Sequence, residues 1–585
     1  MKISTAPFSR GRRLITLPLL LGFCFLLLPA APSSAQGWPT LDSGGRSVER
    51  HPDLLEENRP KEAPALSLPP APLPPTGGGE TIFTGIMVQK ITVKGSTAFT
   101  PQELATVTAP YLGRRLTMED LELLRRKITL MYLEKGYVNS GAVIPDQTVT
   151  GGEVVIQVVE GRLTRINVEG NRWFTGGYLK DRIGLGAGVP LDVHSLQERL
   201  QLLQQDQRIG RIQAQLRPGE KPGEAELDVK VEEKGPFFTW FAVNNYQPPS
   251  VGAERGMATL AHQNLTGHGD VLSLSYGGSA GLNPLIDAWY ALPINARDTT
   301  VMFRYKKNDF NVVDKVFGPL DIVSKSESFE LSIRHPVYRS LSQELAISLS
   351  AEHERNRNSL SGEPFSFSLG EDNGSATVIP LRFTQEWTYR TQREVFAARS
   401  RMTFGLDVWD ATQHQNGLPD GSFFAWLGQF QWARILGFLD TQLLVRADLQ
   451  LSDKSLLPVE QFAVGGRYSV RGYRENALVR DQAFVTSLET RIPLLKNQRW
   501  ADYLQLCPFF DYGYGFNRDL PDLGPNSIAS AGIGGRWGAS AHCWGIEFRP
   551  EMELYWGYAF RDLHLPNEDV QDNGIHFQVA LTAAF

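Results

Sequence analysis

The chain has 585 residues, 42% of them hydrophobic and 21% charged, which is too apolar for a disordered chain and too polar for a bundle of membrane helices. Its 55 glycines, 31 phenylalanines, 17 tyrosines and 12 tryptophans, spread without long apolar runs, suit a β-rich protein such as a transmembrane barrel, whose segments alternate rather than run. A formal net charge of -6 offers no basic footprint for nucleic acid.

Residues 1–35 read as a secretory signal. Lys2, Arg10, Arg12 and Arg13 precede an apolar run from Leu14 to Leu28, and small residues lead to a cut near Ala35. Beyond that point only Cys507 and Cys543 remain, so neither a disulfide framework nor a CxxC metal site is expected. The two thiols fall on predicted strands separated by another strand, a gap of roughly 10 Å that a disulfide cannot span. Residues 36–84 form a linker: seven prolines fall between Pro60 and Pro75 and Gly77, Gly78 and Gly79 follow, so the stretch stays extended and builds no core. Pro52–Asn58 is a short candidate helix within it.

From residue 85 the pattern turns α+β. Ile86–Val93 reads as a strand. Thr100, Pro101 and Glu103 mark a helix start. A second helix runs from Met118 to Lys135 with Leu121, Leu124, Ile128, Met131 and Tyr132 on one face, and Gly136 stops it. Strands follow at Gly141–Ile144 and Glu153–Val159. The order then repeats: a strand at Thr164–Val168, helices at Gly176–Ile183 and Leu191–Gln205, strands at Ile209–Leu216 and Glu224–Val231. Residues 85–161 and 162–236 are therefore an internal repeat.

Residues 237–585 contain no convincing helix and about sixteen alternating segments, as expected for strands joined by short turns on one side and longer loops on the other. In Thr441–Ser452, Val445 and Leu449 fall on the greasy face and Gln442 and Gln450 on the polar one. The first pair is expected to meet lipid, and the second to face the lumen and tolerate charge. The last segment alternates through Ile575, Phe577, Val579, Leu581 and Ala583 to a terminal Phe585, which looks like the assembly signal of bacterial outer-membrane barrels.

Two enzyme-like motifs fail on context. Gly277–Gly281 matches G-x-S-x-G but runs from strand to strand, so it reads as a hairpin turn. Gly184–Gly188 follows a helix and leads into Pro190, the reverse of a dinucleotide fingerprint. The ten histidines show no ligand spacing. No catalytic site, cofactor or metal is expected.

The strongest local signal is the segment from Asp453 to Asp481, too long for a hairpin and rich in Gly, Arg and aromatics, the composition of a functional loop. Downstream, alternation places Phe509, Asp511 and Gly513 on the lumen face and Phe510, Tyr512, Tyr514 and Phe516 on the lipid face. An arginine carried by an inward-folded loop could form a two-point pair with Asp511. Arg480, in the same loop, is expected to be dispensable.

Val470-Arg471-Gly472-Tyr473 resembles the VRGY/F motif of outer-membrane transporters with POTRA domains and a sixteen-stranded barrel, and Phe509-x-Asp511-x-Gly513 resembles their F-x-D-x-G partner motif. Two POTRA-like repeats before a barrel are similar to the two-partner-secretion branch, the TpsB-type haemolysin secretion/activation proteins. The resemblance covers residues 85–585. It implies a transmembrane β-barrel of about sixteen antiparallel strands preceded by two α+β POTRA-like domains, sited in the outer membrane with those domains in the periplasm. It implies a loop folded into the pore, anchored by Arg471 on Asp511, and an N-terminal plug helix for which Pro52–Asn58 is the candidate. Its partners would be a secreted β-helical exoprotein, outer-membrane lipid and, during biogenesis, the barrel-assembly machinery. The other reading of this architecture is an insertase for barrels or for several clients; such relatives usually carry three or more repeats, and two are counted here.

Overall fold

The computed structural model describes residues 39–41, 47–49, 65–68 and 85–585, apart from 316, 416, 523 and 564–568. The signal segment and the candidate plug helix at Pro52–Asn58 lie outside the described residues.

The first repeat places helices α1 (Pro101–Thr108) and α2 (Met118–Glu134) against a three-stranded sheet. Both helices begin with reciprocal caps, Thr100 with Glu103 and Thr117 with Asp120, each of which satisfies two amide donors that the first turn would leave bare. Leu121, Leu124, Ile128 and Tyr132 are buried against Val154, Ile156 and Val158, at about 1.5 to 3 kcal/mol for each large apolar side chain removed from water. The expected single strand Ile86–Val93 is two, Ile86–Val88 and Lys90–Lys94. The amides of Gln89 and Lys90 both donate to the Gly152 carbonyl (2.8 and 3.2 Å), and the resulting bend sends Ile86–Val88 to pair with Arg114–Leu116.

The second repeat has helices α3 (Gly176–Gly184) and α4 (Val193–Gln204) over strands Arg162–Glu169, Glu224–Glu233 and Ile209–Pro218. Helix α4 starts later than periodicity suggests, because Asp192 caps it by accepting the amides of His194 and Ser195. The two repeats share a device at the end of the last strand. Glu160 accepts the amides of Thr97 and Ala98 (2.6 and 2.9 Å), and Glu233 accepts those of Trp173 and Phe174 (2.6 and 3.2 Å).

The linker is not purely a spacer. Ala65–Ser67 adds a parallel strand to Gln213–Gln215 and Leu66 packs on the second repeat's core. The reason is local: residues 65–68 lie between Pro64 and Pro69 and keep their amide donors, and the edge strand Ile209–Pro218 has its own unpaired groups to satisfy.

Residues 237–585 close into a barrel of sixteen antiparallel strands. The first, Phe237–Asn244, pairs with the last, Ile575–Ala584, from Phe238 opposite Ala584 to Asn244 opposite Gln578. Closure leaves no sheet edge, the condition for strands to exist in lipid. Side chains sort by parity: in Ile322–Arg339, Ser324, Ser326 and Ser328 are buried in the lumen while Phe329, Leu331 and Ile333 are exposed on the outside. No helix among the described residues is long and apolar enough to cross a membrane. Gly277 and Ser279 end one strand, Val271–Ser279, and Gly281 sits in the tight turn before Leu282–Pro293. Cys507 and Cys543 are both free.

Candidate functional site

The loop at residues 453–481 leaves strand Gln442–Ser452 and returns in Gln482–Gln498. It is partly ordered by its own short pairing of Phe462–Val464 with Leu478–Arg480. This ribbon presents the glycine- and arginine-rich tip to the inner wall, where Val470, Arg471 and Tyr473 are buried.

Arg471 meets Asp511 at three points. Its backbone amide and Nε both donate to Oδ2 (3.0 and 2.8 Å), and Nη2 donates to Oδ1 (2.8 Å). The Ser487 hydroxyl donates to the same Oδ1 (2.6 Å) and accepts from Arg471 Nη2 (3.0 Å). Nη1 donates to Glu489, so one guanidinium bridges two carboxylates. Arg491 balances the second of these, with Nε 2.8 Å from Glu489 Oε1. The guanidinium carbon lies 3.7 Å from the centre of the Phe509 ring and 5.0 Å from that of Tyr555, within cation–π range.

The glycines of both motifs mark close approaches. A Cβ on Gly513 would stand 2.4 Å from Val464 Cγ1 and 2.9 Å from Val470 Cγ2, so only glycine leaves room for the loop. Gly472 has φ of +90°, and its backbone lies so near the wall that a Cβ on Gly557 would stand 2.8 Å from the Gly472 Cα. Tyr473 finishes the seat, its hydroxyl donating to the Ala529 carbonyl (3.0 Å) and accepting the Arg561 amide (3.1 Å). The residues of the two motifs thus have distinct geometric parts: Arg471 forks, Asp511 receives, Phe509 stacks, Gly513 leaves room for the Val464 and Val470 side chains, and Gly472 brings its backbone against that of Gly557.

Sequence reading missed Ser487, Glu489 and Tyr555. Ser487 lies directly opposite Asp511 and Glu489 opposite Phe509 in the hairpin register. Their signal was parity on the strand that follows the loop, legible only once that register is known. Two expectations about the loop's surroundings fail. Arg480 is buried, donates to the carbonyls of Val479 and Pro525 (3.0 and 3.3 Å) and lies 3.5 Å from Asp522; it belongs to the loop's base. Gln450 faces the lumen as expected, but its amide donates to the carbonyls of Glu460 and Asp481 (3.0 and 3.3 Å), so a charge there would meet the loop's two ends. At the other end of the barrel Phe585 stacks on Phe237 with ring centres 5.4 Å apart, and the two exchange backbone hydrogen bonds (3.0 and 3.1 Å).

A closed barrel with a loop fastened to its inner wall, entered from a domain built of α+β repeats, has the architecture of an outer-membrane transporter. The chain belongs to the haemolysin secretion/activation protein family ShlB/FhaC/HecB, which it matches over residues 223–537, more than half its length, and residues 86–161 match a ShlB-type POTRA domain. It is 24% identical to the outer membrane transporter CdiB of Escherichia coli O6:K15:H31 (strain 536 / UPEC) over 461 residues, 74% of each chain. It is 24% identical to the heme/hemopexin transporter protein HuxB of Haemophilus influenzae (strain 86-028NP) over 441 residues, 71% of this chain and 73% of that one. The solved structure of CdiB from Escherichia coli has a similar fold, with a TM-score of 0.64, 20% identity, and coverage of 90% of this chain and 95% of that one. BamA from Haemophilus ducreyi lacking POTRA domains 1-3 is similar in fold at a TM-score of 0.51 and 14% identity, covering 85% of this chain and all of that one. The protein is a two-partner-secretion transporter of the outer membrane, with its POTRA region on the periplasmic side.

Proposed function

We propose that this transporter secretes one dedicated, large β-helical exoprotein, which the repeats at residues 85–161 and 162–236, both acting as POTRA domains, capture unfolded and feed into the barrel. The loop at 453–481 shapes the conduit and is held by Arg471 on Asp511, with Val470, Gly472 and Tyr473 seating it and Phe509 and Gly513 shaping the wall. The observation that carries this reading is the fork between Arg471 and Asp511, 3% and 0% exposed. A pair so desolvated costs free energy unless its partners are fixed, which suits a group that sets the position of a segment inside a pore. The protein translocates and does no covalent chemistry. Phe585, at the barrel seam, is the signal read by the barrel-assembly machinery during biogenesis.

The insertase reading finds less support. Such relatives usually carry three or more repeats, whereas the described residues hold two, and seven residue pairs join the first barrel strand to the last, against eight between the first and second. The test is co-expression with a candidate partner, a large exported β-helical protein sought among the genes beside this one. The partner should reach the medium with the intact transporter and stay in the periplasm when residues 85–234 are deleted, while the barrel still folds. Secretion undiminished by that deletion would reject capture by the repeats.

A further inference from the structure

A cavity of about 520 Å³ lies between helices α3 and α4 of the second repeat and the periplasmic turns of the barrel. Its charge is unbalanced. Arg182, Arg199, Arg208, Arg297, Arg334 and Arg339 line it, against only two carboxylates, Asp206 and Asp298.

The ion pairs around it do not close this gap. Asp298 is shared by Arg182 and Arg339, and Asp206 is taken by Arg208. Behind the wall, Glu344 and Glu386 each accept from Arg334 (2.8 Å), which makes four carboxylates for six guanidiniums. The guanidiniums of Arg199 and Arg297 have no ion-pair or hydrogen-bond partner among the described residues, Arg297 using only its backbone amide, on Asn295 Oδ1 (2.9 Å). Arg199 is half-buried and Arg297 exposed, and each carries a donor fork of the kind that matches phosphate beside a space of ligand size.

The cavity also borders the membrane. The outward face of strand Ile322–Arg339 carries Leu331 and Ile333, and a register shift between Pro336 and Tyr338 leaves Val337 and Tyr338 both exposed at the cavity's rim. The outward face thus carries an apolar stripe, interrupted by His335 (held by the Thr299 hydroxyl at 2.7 Å), down to the rim of a basic hole. A free anion would use the hole and ignore the stripe; an amphiphile with an anionic head uses both.

We propose that this cavity binds the phosphate-bearing headgroup of an anionic glycerophospholipid of the periplasmic leaflet, with the acyl chains lying along Leu331, Ile333 and Val337. The headgroup fills the space between repeat and barrel, meets Arg199 and Arg297, and joins the second repeat to the membrane at the mouth of the pore.

The test uses the full-length protein in detergent micelles and native mass spectrometry, with phosphatidylglycerol or phosphatidylcholine of the same acyl chains added. Phosphatidylglycerol should be retained in preference, one molecule per chain, and inorganic phosphate in excess should not displace it. Arg199→Gln with Arg297→Gln should weaken retention by about 25-fold, the product of two basic residues each contributing about fivefold at an anionic lipid surface. Arg199→Lys with Arg297→Lys should retain more than the glutamine pair and less than the native protein, because the charge stays while the planar fork is lost, which separates lost charge from a damaged fold. Equal retention of the two lipids, unchanged binding by the glutamine pair, or displacement by inorganic phosphate would each overturn the proposal.

Discussion

Asp511 takes three hydrogen bonds from Arg471 alone, from the backbone amide, Nε and Nη2, at 3.0, 2.8 and 2.8 Å. The amide contact fixes the loop's main chain, and the two guanidinium contacts fix the side chain. Arg471→Lys keeps the charge and the amide bond but loses the planar two-point match and the reach to Ser487 and Glu489. It should therefore secrete far less than the native protein, close to Arg471→Ala. The readout is partner in the medium per folded barrel, and native secretion by the lysine variant would show that charge alone suffices.

Gly513→Ala should dislodge the loop without touching any charge. Its Cβ would overlap Val464 and Val470 at 2.4 and 2.9 Å, an overpacking of about 1 to 3 kcal/mol. The barrel should keep its heat-modifiable mobility while Arg467 and Arg474, at the loop tip, become accessible to trypsin. A loop as resistant as the native one would mean that the wall yields there.

Val445 and Leu449 pair with Leu488 and Phe484, which are exposed on the outer wall. An arginine at either site should impair barrel assembly, at about 2 to 4 kcal/mol near the bilayer midplane. Gln442→Arg is the matched lumen substitution and should assemble normally. Gln450→Arg is unsuitable as a control, because its amide holds the loop's ends. Equal yields of folded barrel from Val445→Arg and Gln442→Arg would reverse the assignment of faces.

Glu160 predicts an acid sensitivity confined to the first repeat. Burial pushes its carboxyl up, but the Thr97 hydroxyl, the amides of Thr97 and Ala98 and the Tyr132 hydroxyl outweigh this and hold it below its ordinary 4.5. A depressed carboxyl adds stability that is present above pH 4.5 and fades as the pH falls through the folded value. Calorimetry of the full-length protein should show the first repeat's transition drop below that pH. In Glu160→Gln the drop should shrink without vanishing, since Glu103, Asp120 and Glu153 of the same repeat are also held low by their hydrogen bonds, and at neutral pH the repeat should be about 1 to 3 kcal/mol less stable from the lost charged hydrogen bonds. An unchanged acid profile in the glutamine variant would place the titrating group elsewhere.

Most of the architecture was legible because its signals are periodic. The α2 face that carries Leu121, Leu124, Ile128 and Tyr132 repeats at helical spacing, and Asp511 faces inward by the same alternation that turns Phe510 out. What stayed hidden depended on pairing between distant segments. Ala65–Ser67 looks like linker until the open edge of Ile209–Pro218 is in view. Glu489 joins Asp511 only through the register of two strands. Arg480 has the composition of an idle loop residue, and burial, which no local pattern encodes, ties it into the loop's base.

The central claim is that Arg471 and Asp511 act as one unit in transport, and a double-mutant cycle on secretion tests it most directly. Arg471→Ala, Asp511→Ala and the double variant would be compared by the amount of partner in the medium, normalised to folded barrel. Each single change leaves a buried charge without its main partner, a loss of about 3 to 5 kcal/mol in loop placement, and both should secrete poorly. The double variant should be no worse than either single one. If the two defects instead multiply, the residues act independently and the loop is held by other contacts.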